Sequence, residues 1–214
     1  MLKQIVIYGA GGFAREVAHL IEQINLNRPT WELLGFLDDN VENHNQINNG
    51  FPVLGGDEWL IDNPKISIAL GIGSPEVKES IVNKLKKNKD IEYPNLIHPN
   101  VYISKYNSIG KGNIICEGNI LTTNITINNF VTLNLNCSIG HDVEINDFVT
   151  ILPKASISGN VKLESKVNFG THATVIQGLI IGKESIVGAG SVIIRDVPGK
   201  STVVGTPAKQ VKFL

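Results

Sequence analysis

Large apolar residues recur along the second half of this chain at one fixed interval. Counting in sixes from Ile103, the chain meets Ile109, Ile115, Leu121, Ile127, Leu133, Ile139, Ile145, Ile151, Ile157, Leu163, Phe169, Val175, Ile181, Val187 and Ile193 without a miss. An α-helix cannot use that interval, because 3.6 residues per turn would spread these side chains around its whole surface. The position two residues ahead is also restricted, holding Val131, Cys137, Val143, Val149, Ala155, Val161, Val167, Ala173 and Leu179, then Ser185 and Ser191. Two inward residues, two apart and repeated every six, predict short strands bent at regular corners, three strands to a coil of a parallel β-helix. Each coil stacks on the next to bury what it cannot bury alone. No loop breaks the register between residues 101 and 195. The stretch "RDVPGKSTVVGTPAKQVKFL" then leaves it, and Pro198, Gly199, Gly205 and Pro207 predict a cap over the open end.

Residues 1–95 follow another pattern. "QIVIYGA", "WELLGFLDD" and "ISIALGIG" read as strands, and "YPNLIHP" as a last extended piece. "AREVAHLIEQI" carries Val17, Leu20, Ile21 and Ile24 at helical spacing, and "PEVKESIVNKLKKN" puts Val77, Ile81 and Leu85 on one helical face. This β-α-β order predicts a small parallel sheet flanked by helices, an α/β Rossmann-like half-domain. The expected division is residues 1–95 for that unit, and 96–214 for an all-β helix of hexapeptide repeats with its C-terminal cap.

Composition adds little direction. The chain has 214 residues, 42% of them hydrophobic, and a mean hydropathy of +0.06, as expected of a soluble globular protein. Nineteen basic residues against twenty acidic leave a net charge of −1, which makes no electrostatic case for nucleic acid or an anionic membrane. "MLKQIVIYGAGGF" lacks the long apolar core of a signal peptide. No apolar run approaches the ~20 residues that cross a bilayer. Cys116 and Cys137 form no CxxC pair, so a reducing cytoplasm is the expected home.

Two stretches carry candidate chemistry. In "YGAGGFAREV", Gly9-x-Gly11-x-x-Ala14 falls between a strand and a helix, where glycines let the backbone approach phosphates at a helix N-terminus. Asp38 and Asp39 end the second strand, where an acidic residue meets a ribose or a base. A nicotinamide cofactor is one reading. The unit is only half of a dinucleotide fold, however, so a single nucleotide carried on a substrate fits better; a tight turn without a ligand is the plain alternative. The second stretch is "NCSIGHDVEIND", with His141 and Asp142 side by side. Asp142 can hold one ring nitrogen and leave the other free as a base. Neighbours on a flat strand face opposite sides, so the corner after Gly140 is what lets the two cooperate; a solvated surface pair is the plain alternative here. Among the other histidines, His19 falls in the first helix, His44 in a polar loop, and His98 at the junction as a structural residue. His172, two coils on, is either solvated or ligand-facing. No residues show metal-ligand spacing, and no metal is expected. The lysine-rich "KLKKNK" reads as a solvated helix end.

The hexapeptide register, the "GHD" pair and the closing "VVGTPAK" resemble the bacterial left-handed β-helix acyltransferases. With "YGAGGFAREV", "GFLDD" and "ALGIG", essentially the whole chain is similar to the PglD/NeuD-type sugar acetyltransferases. Within them it is most like the N-acetyltransferases of nucleotide-linked 4-amino-4,6-dideoxy sugars, which serve surface polysaccharide or glycan synthesis. The resemblance implies a homotrimer with acetyl-CoA between neighbouring β-helices, His141 as general base, and Asp142 raising its basicity. It implies Gly11, Gly12 and Phe13 at the nucleotide diphosphate, Asp38 and Asp39 at the nucleoside, and Gly73 with Glu76 closing the other side. Asn134 would contact the sugar, and Thr150, Thr171 and Ala189 the acetyl-CoA. Phe13 and Thr150 depart from the pattern, since some relatives carry a small polar residue and a histidine at those places. The rival readings are an O-acetyltransferase acting on a sialic-acid-type hydroxyl and a non-catalytic nucleotide-sugar scaffold.

Overall fold

The computed structural model describes residues 2–211. The chain begins with β1 (Lys3–Tyr8), α1 (Gly12–Asn27), β2 (Trp31–Leu37), β3 (Ile47–Asn48), β4 (Phe51–Gly55), α2 (Trp59–Asp62), β5 (Ser67–Leu70) and α3 (Pro75–Leu85). The five strands form one sheet in the order β3-β4-β2-β1-β5. β1 pairs in parallel with both β2 and β5, so the chain crosses from one side of β1 to the other between them. That reversal opens a crevice at the carboxyl ends of the strands, the place where open α/β sheets take ligands.

Two details differ from the pattern read in the sequence. The hairpin β3–β4 turns on Asn49 and Gly50, both left-handed at φ 48° and 83°. Asn-Gly favours such two-residue turns, but β3 has only two residues and leaves no alternation to notice. On α3, Ile81 and Leu85 are buried as expected, whereas Val77 is exposed and Lys78 takes the inward place. The reason is the surface α3 packs on, a β-helix corner and rung where Phe130 O, Thr132 Oγ1 and Val149 O all accept from the amine. The extended piece in "YPNLIHP", Leu96–Ile97, pairs with Ile114–Ile115 and is the first rung of the β-helix.

From there the chain winds as a left-handed parallel β-helix with three flat faces. One, the docking face, is built from Leu96–Ile97, Ile114–Ile115, Thr132–Leu133, Thr150–Ile151, Asn168–Phe169 and Ile186–Val187. The second runs from Ile120–Leu121 through Ser138–Ile139 to Val192–Ile193, and the third from Ser108–Ile109 through Glu144–Ile145 to Ile180–Ile181. The corners are as regular as the strands. Every sixth residue from Gly112 through Asn124, Phe130, Asn136, Asp142 and Phe148 to Gly190 has a left-handed φ, between 56° and 77°. The inward residues from Ile115 to Ile193 form one continuous core. Each fully buried aliphatic side chain there contributes roughly 1.5–3 kcal/mol. Past the last coil, Thr202–Val204 pairs in parallel with Ile186–Val187, Lys209–Val211 folds back on it, and Val197 and Val203 join the core from below.

The N-terminal unit sits on the docking face. Leu96, Ile114 and Cys116 pack with the inner side of α1 and β1. Phe130 and Phe148, stacked at 5.1 Å on one corner, pack with Tyr93, Leu85 and Ile81.

Candidate active site

His141 and Asp142 occupy the corner after Ser138–Ile139. Asp142 carries a φ of 60°, and this left-handed turn brings its carboxylate back alongside the preceding imidazole. His141 Nδ1 lies 2.7 Å from Asp142 Oδ2, and Asn124 Nδ2 donates to the other carboxylate oxygen at 3.2 Å. The hydrogen bond from His141, and then that from Asn124, hold the Asp142 carboxyl below the usual carboxylate range. With Nδ1–H committed to Asp142, Nε2 keeps its lone pair. The ring lies over the backbone of Gly159 on the next coil: a Cβ there would come within 2.5 Å of Nε2 and 2.6 Å of Cε1. Gly159 is thus the floor of the imidazole, a role that no local sequence pattern announces.

Gly11 ends the β1–α1 turn and Gly12 and Phe13 open α1, Asp38 and Asp39 directly follow β2, and Gly73 lies in the β5–α3 turn with Glu76 in the first turn of α3. All seven therefore border the carboxyl-end crevice. A Cβ on Gly11 or Gly73 would meet no atom within 4 Å, so their backbones face open space. The two aspartates are placed differently. Asp38 ties the turn together, accepting from Ala10 N at 2.8 Å and Asn40 N at 2.9 Å. Asp39 accepts from Tyr8 Oη at 2.6 Å and from Lys84 at 3.0 Å. Partial burial opposes its ionisation, but Tyr8 and Lys84 outweigh that and hold the Asp39 carboxyl low. Lys84 also pairs with Asp57 at 2.7 Å, and Tyr8 Oη touches Asp57 too. Asp57, Tyr8 and Lys84 come together here from three separate stretches of the chain, so no local spacing marks them. Glu76 accepts from Ser74 Oγ at 2.7 Å at the first turn of α3.

A small cavity of about 100 Å³ lies in the seam between the two units, lined by Phe13, Glu16, Gly73, Thr132, Asn134, Thr150 and Leu152. Thr150 belongs to this cavity with Phe13, Gly73 and Asn134, and its hydroxyl donates to Gly73 O at 2.9 Å. Thr171 and Ala189 lie elsewhere, stacked on the edge between the docking and second faces, one coil apart; Asn134 lies on the same edge at an earlier coil. His141 and Asp142 are on the edge shared by the second and third faces, across the prism from the docking face. A single chain therefore keeps its histidine pair apart from the carboxyl-end crevice of its N-terminal sheet.

The remaining histidines do not converge on either place. His19 pairs with Glu22 on the outer side of α1 at 3.4 Å, and His44 Nε2 contacts Asp38 O at 2.7 Å. His98 is buried at the first rung with Nδ1 accepting from Asn100 N at 3.2 Å. Burial pushes the Cys116 thiol up to about 12 and the Cys137 thiol to about 11, so neither is a ready nucleophile. Among the described residues, no helix is long and apolar enough to cross a membrane.

A hexapeptide β-helix with a histidine pair on one edge and a Rossmann-like half-sheet on the opposite face defines an acyltransferase of the left-handed β-helix class. Residues 4–85 match the family model of the PglD N-terminal domain. Over 214 aligned residues the chain is 30% identical to the GDP-perosamine N-acetyltransferase of Escherichia coli O157:H7, covering 96% of this chain and 95% of that one. It superposes on the acetyltransferase domain of PglB from Neisseria gonorrhoeae FA1090, solved with acetyl coenzyme A, at a TM-score of 0.89 and 29% identity, over 99% of this chain and 100% of that one. PerB from Caulobacter crescentus, solved with CoA and GDP-perosamine, shares the fold at a TM-score of 0.88 and 24% identity, over 99% of both chains. The chain belongs to the PglD-type sugar N-acetyltransferase family.

Proposed function

We propose that this chain transfers the acetyl group of acetyl-CoA to the C4 amine of a nucleotide-linked 4-amino-4,6-dideoxy sugar of the GDP-perosamine kind, for surface polysaccharide or glycan synthesis. The observation that carries the reading is the His141–Asp142 pair, with Nδ1 held at 2.7 Å and Nε2 unclaimed, in a chain whose other unit opens a glycine-lined crevice at its strand ends. Nε2 removes a proton from the sugar amine as its nitrogen attacks the thioester carbonyl. The nitrogen–carbon bond forms, the carbon–sulfur bond breaks, and the imidazolium returns the proton to the CoA thiolate. Asp142 stabilises the imidazolium meanwhile, and backbone amides of the coils hold the developing oxyanion.

In this reading residues 1–95 hold the nucleotide sugar and residues 96–214 hold acetyl-CoA. Gly11, Gly12 and Phe13 meet the diphosphate, Asp38 and Asp39 the nucleoside side, Gly73 and Glu76 the far wall, and Asn134 the sugar; Thr150, which the resemblance puts at acetyl-CoA, is assigned to the sugar as well, because its hydroxyl is turned to Gly73 O in the cavity that Asn134 lines. Acetyl-CoA runs along the edge of Thr171 and Ala189. The separation of His141 from the docking face supports a homotrimer, in which the histidine edge of one chain meets the acetyl-CoA edge and the crevice of its neighbour.

The test is acetyl-CoA turnover, followed by thiol release, with GDP-, UDP- and dTDP-linked 4-amino-4,6-dideoxy sugars, alongside the mass in solution by light scattering. Turnover with one nucleotide class and a mass of three chains is expected. A folded trimer silent on the whole panel but active on sugar hydroxyls would move the reading to O-acetylation. Gly159 provides a sharper check on the base. Gly159→Ala should displace the imidazole and lower kcat on the order of 10- to 100-fold, because catalytic groups tolerate little misplacement. Thermal melting should barely change, and an undiminished kcat would show that the ring does not need its glycine floor.

A further inference from the structure

Lys78 is 1% exposed and forms no salt bridge among the described residues. Its amine crosses the seam and donates to Phe130 O at 2.9 Å, Thr132 Oγ1 at 3.1 Å and Val149 O at 3.3 Å. An ammonium has three N–H donors and accepts nothing, so three acceptors match it fully. Burial nevertheless pushes its pKa down to about 7, with Glu76 on the same helix opposing the loss of the proton. A desolvated amine without a carboxylate destabilises a fold more readily than it supports one. Its position therefore calls for a reason other than stability.

The reason lies in what Thr132 does next. Its oxygen accepts from Lys78, and its own O–H finds no acceptor among the described residues, while Thr132 lines the seam cavity. Thr150, on the neighbouring rung, is set the opposite way: its proton goes to Gly73 O, so it shows the cavity only lone pairs. Asn134 Oδ1 is taken by Leu135 N at 2.7 Å, which leaves its N–H₂ for the cavity. We infer that Lys78 is a positioning residue for the proposed reaction: it fixes the Thr132 hydroxyl as a donor, so that Thr132 and Thr150 together present the donor–acceptor pair that recognises one hydroxyl of the sugar. A site built to pair both sides of a hydroxyl rejects an analogue that lacks it, so Lys78 sets sugar selectivity without touching the sugar. The inference rests on the nucleotide-amino-sugar reading above.

The experiment compares wild type, Lys78→Met, Thr132→Val, Thr132→Ser and the double variant Lys78→Met/Thr132→Val at pH 6.5, with whichever nucleotide amino sugar the wild type acetylates. Lys78→Met should raise KM for that sugar about tenfold, the worth of one hydrogen bond, and leave kcat and the acetyl-CoA KM within twofold. Phe130 O loses its donor in this variant, so the melting temperature should fall somewhat, and the change confined to the sugar KM is what separates positioning from simple support. Thr132→Val should match it, Thr132→Ser should keep the wild-type KM, and the double variant should be no worse than either single. A folded Lys78→Met with unchanged sugar KM overturns the inference, as does a double variant whose loss is the product of the two. Should Lys78→Met not fold, equal KM for Thr132→Val and wild type decides against it. A wild type that acetylates nothing on the panel removes the functional reading and this inference together, whereas an active wild type with insensitive variants removes the inference alone.

Discussion

His141→Ala is expected to lower kcat for acetyl transfer by about 10²- to 10⁴-fold, the usual contribution of a general base. KM for acetyl-CoA should stay put, because the imidazole is assigned to proton transfer and not to holding the cofactor. The protein should also stay folded. The His141 side chain is 61% exposed and packs into no core, so its loss belongs with surface substitutions that change stability within about 0.5 kcal/mol. Steady-state thiol release with matched melting curves makes the comparison. A variant within about threefold of wild-type kcat would mean that the amine loses its proton to water or to another group, and the role given to the pair would fall.

Phe169→Ala tests the other end of the scale, the core that holds the prism together. Phe169 is the one aromatic among the inward residues from Ile115 to Ile193, and it is fully buried. In register it stacks on Ile151 on one side and Val187 on the other. Truncation to alanine removes the ring's burial and leaves a hole that rigid flanking coils cannot close. The expected cost is about 3–5 kcal/mol. For a chain of this size that is a fall on the order of 10 °C in Tm. Ile61→Ala is the control: Ile61 is 78% exposed on α2 and should shift Tm by no more than a degree or two. Equal melting of the two variants would mean that the coils near Phe169 repack freely, against the close packing described here.

Much of this architecture is legible in the sequence, for a physical reason. The β-helix repeats one local rule, an inward residue every sixth place, so its core residues from Ile115 to Ile193 are written in the spacing itself. The His141–Asp142 pair was legible for a similar reason, since both partners are adjacent and the corner that joins them follows from the same period. Contacts between distant segments leave no such trace. The β3–β4 hairpin was too short to show alternation. The helical period of α3 pointed to Val77, because hydrophobicity was the only guide, while the docking surface offered carbonyls and took Lys78. Gly159 under His141 and Thr132 beside Lys78 depend on which coil faces which, and Tyr8, Asp57 and Lys84 meet only once the sheet has formed. The separation of the histidine edge from the docking face needed the order of the three faces, which the spacing alone does not give.

That order has a consequence for how such a chain can change length. Thr132 pairs with Thr150, so one full coil is 150 − 132 = 18 residues, with a corner at every sixth. An insertion of six residues between Asn134 and His141 would keep every inward residue inward and still turn the histidine one edge around the prism. An insertion of eighteen would return it to its own edge, one storey higher. The arithmetic of the prism is therefore strict: multiples of six keep the inward residues inward, and only multiples of eighteen keep a histidine that faces the same way.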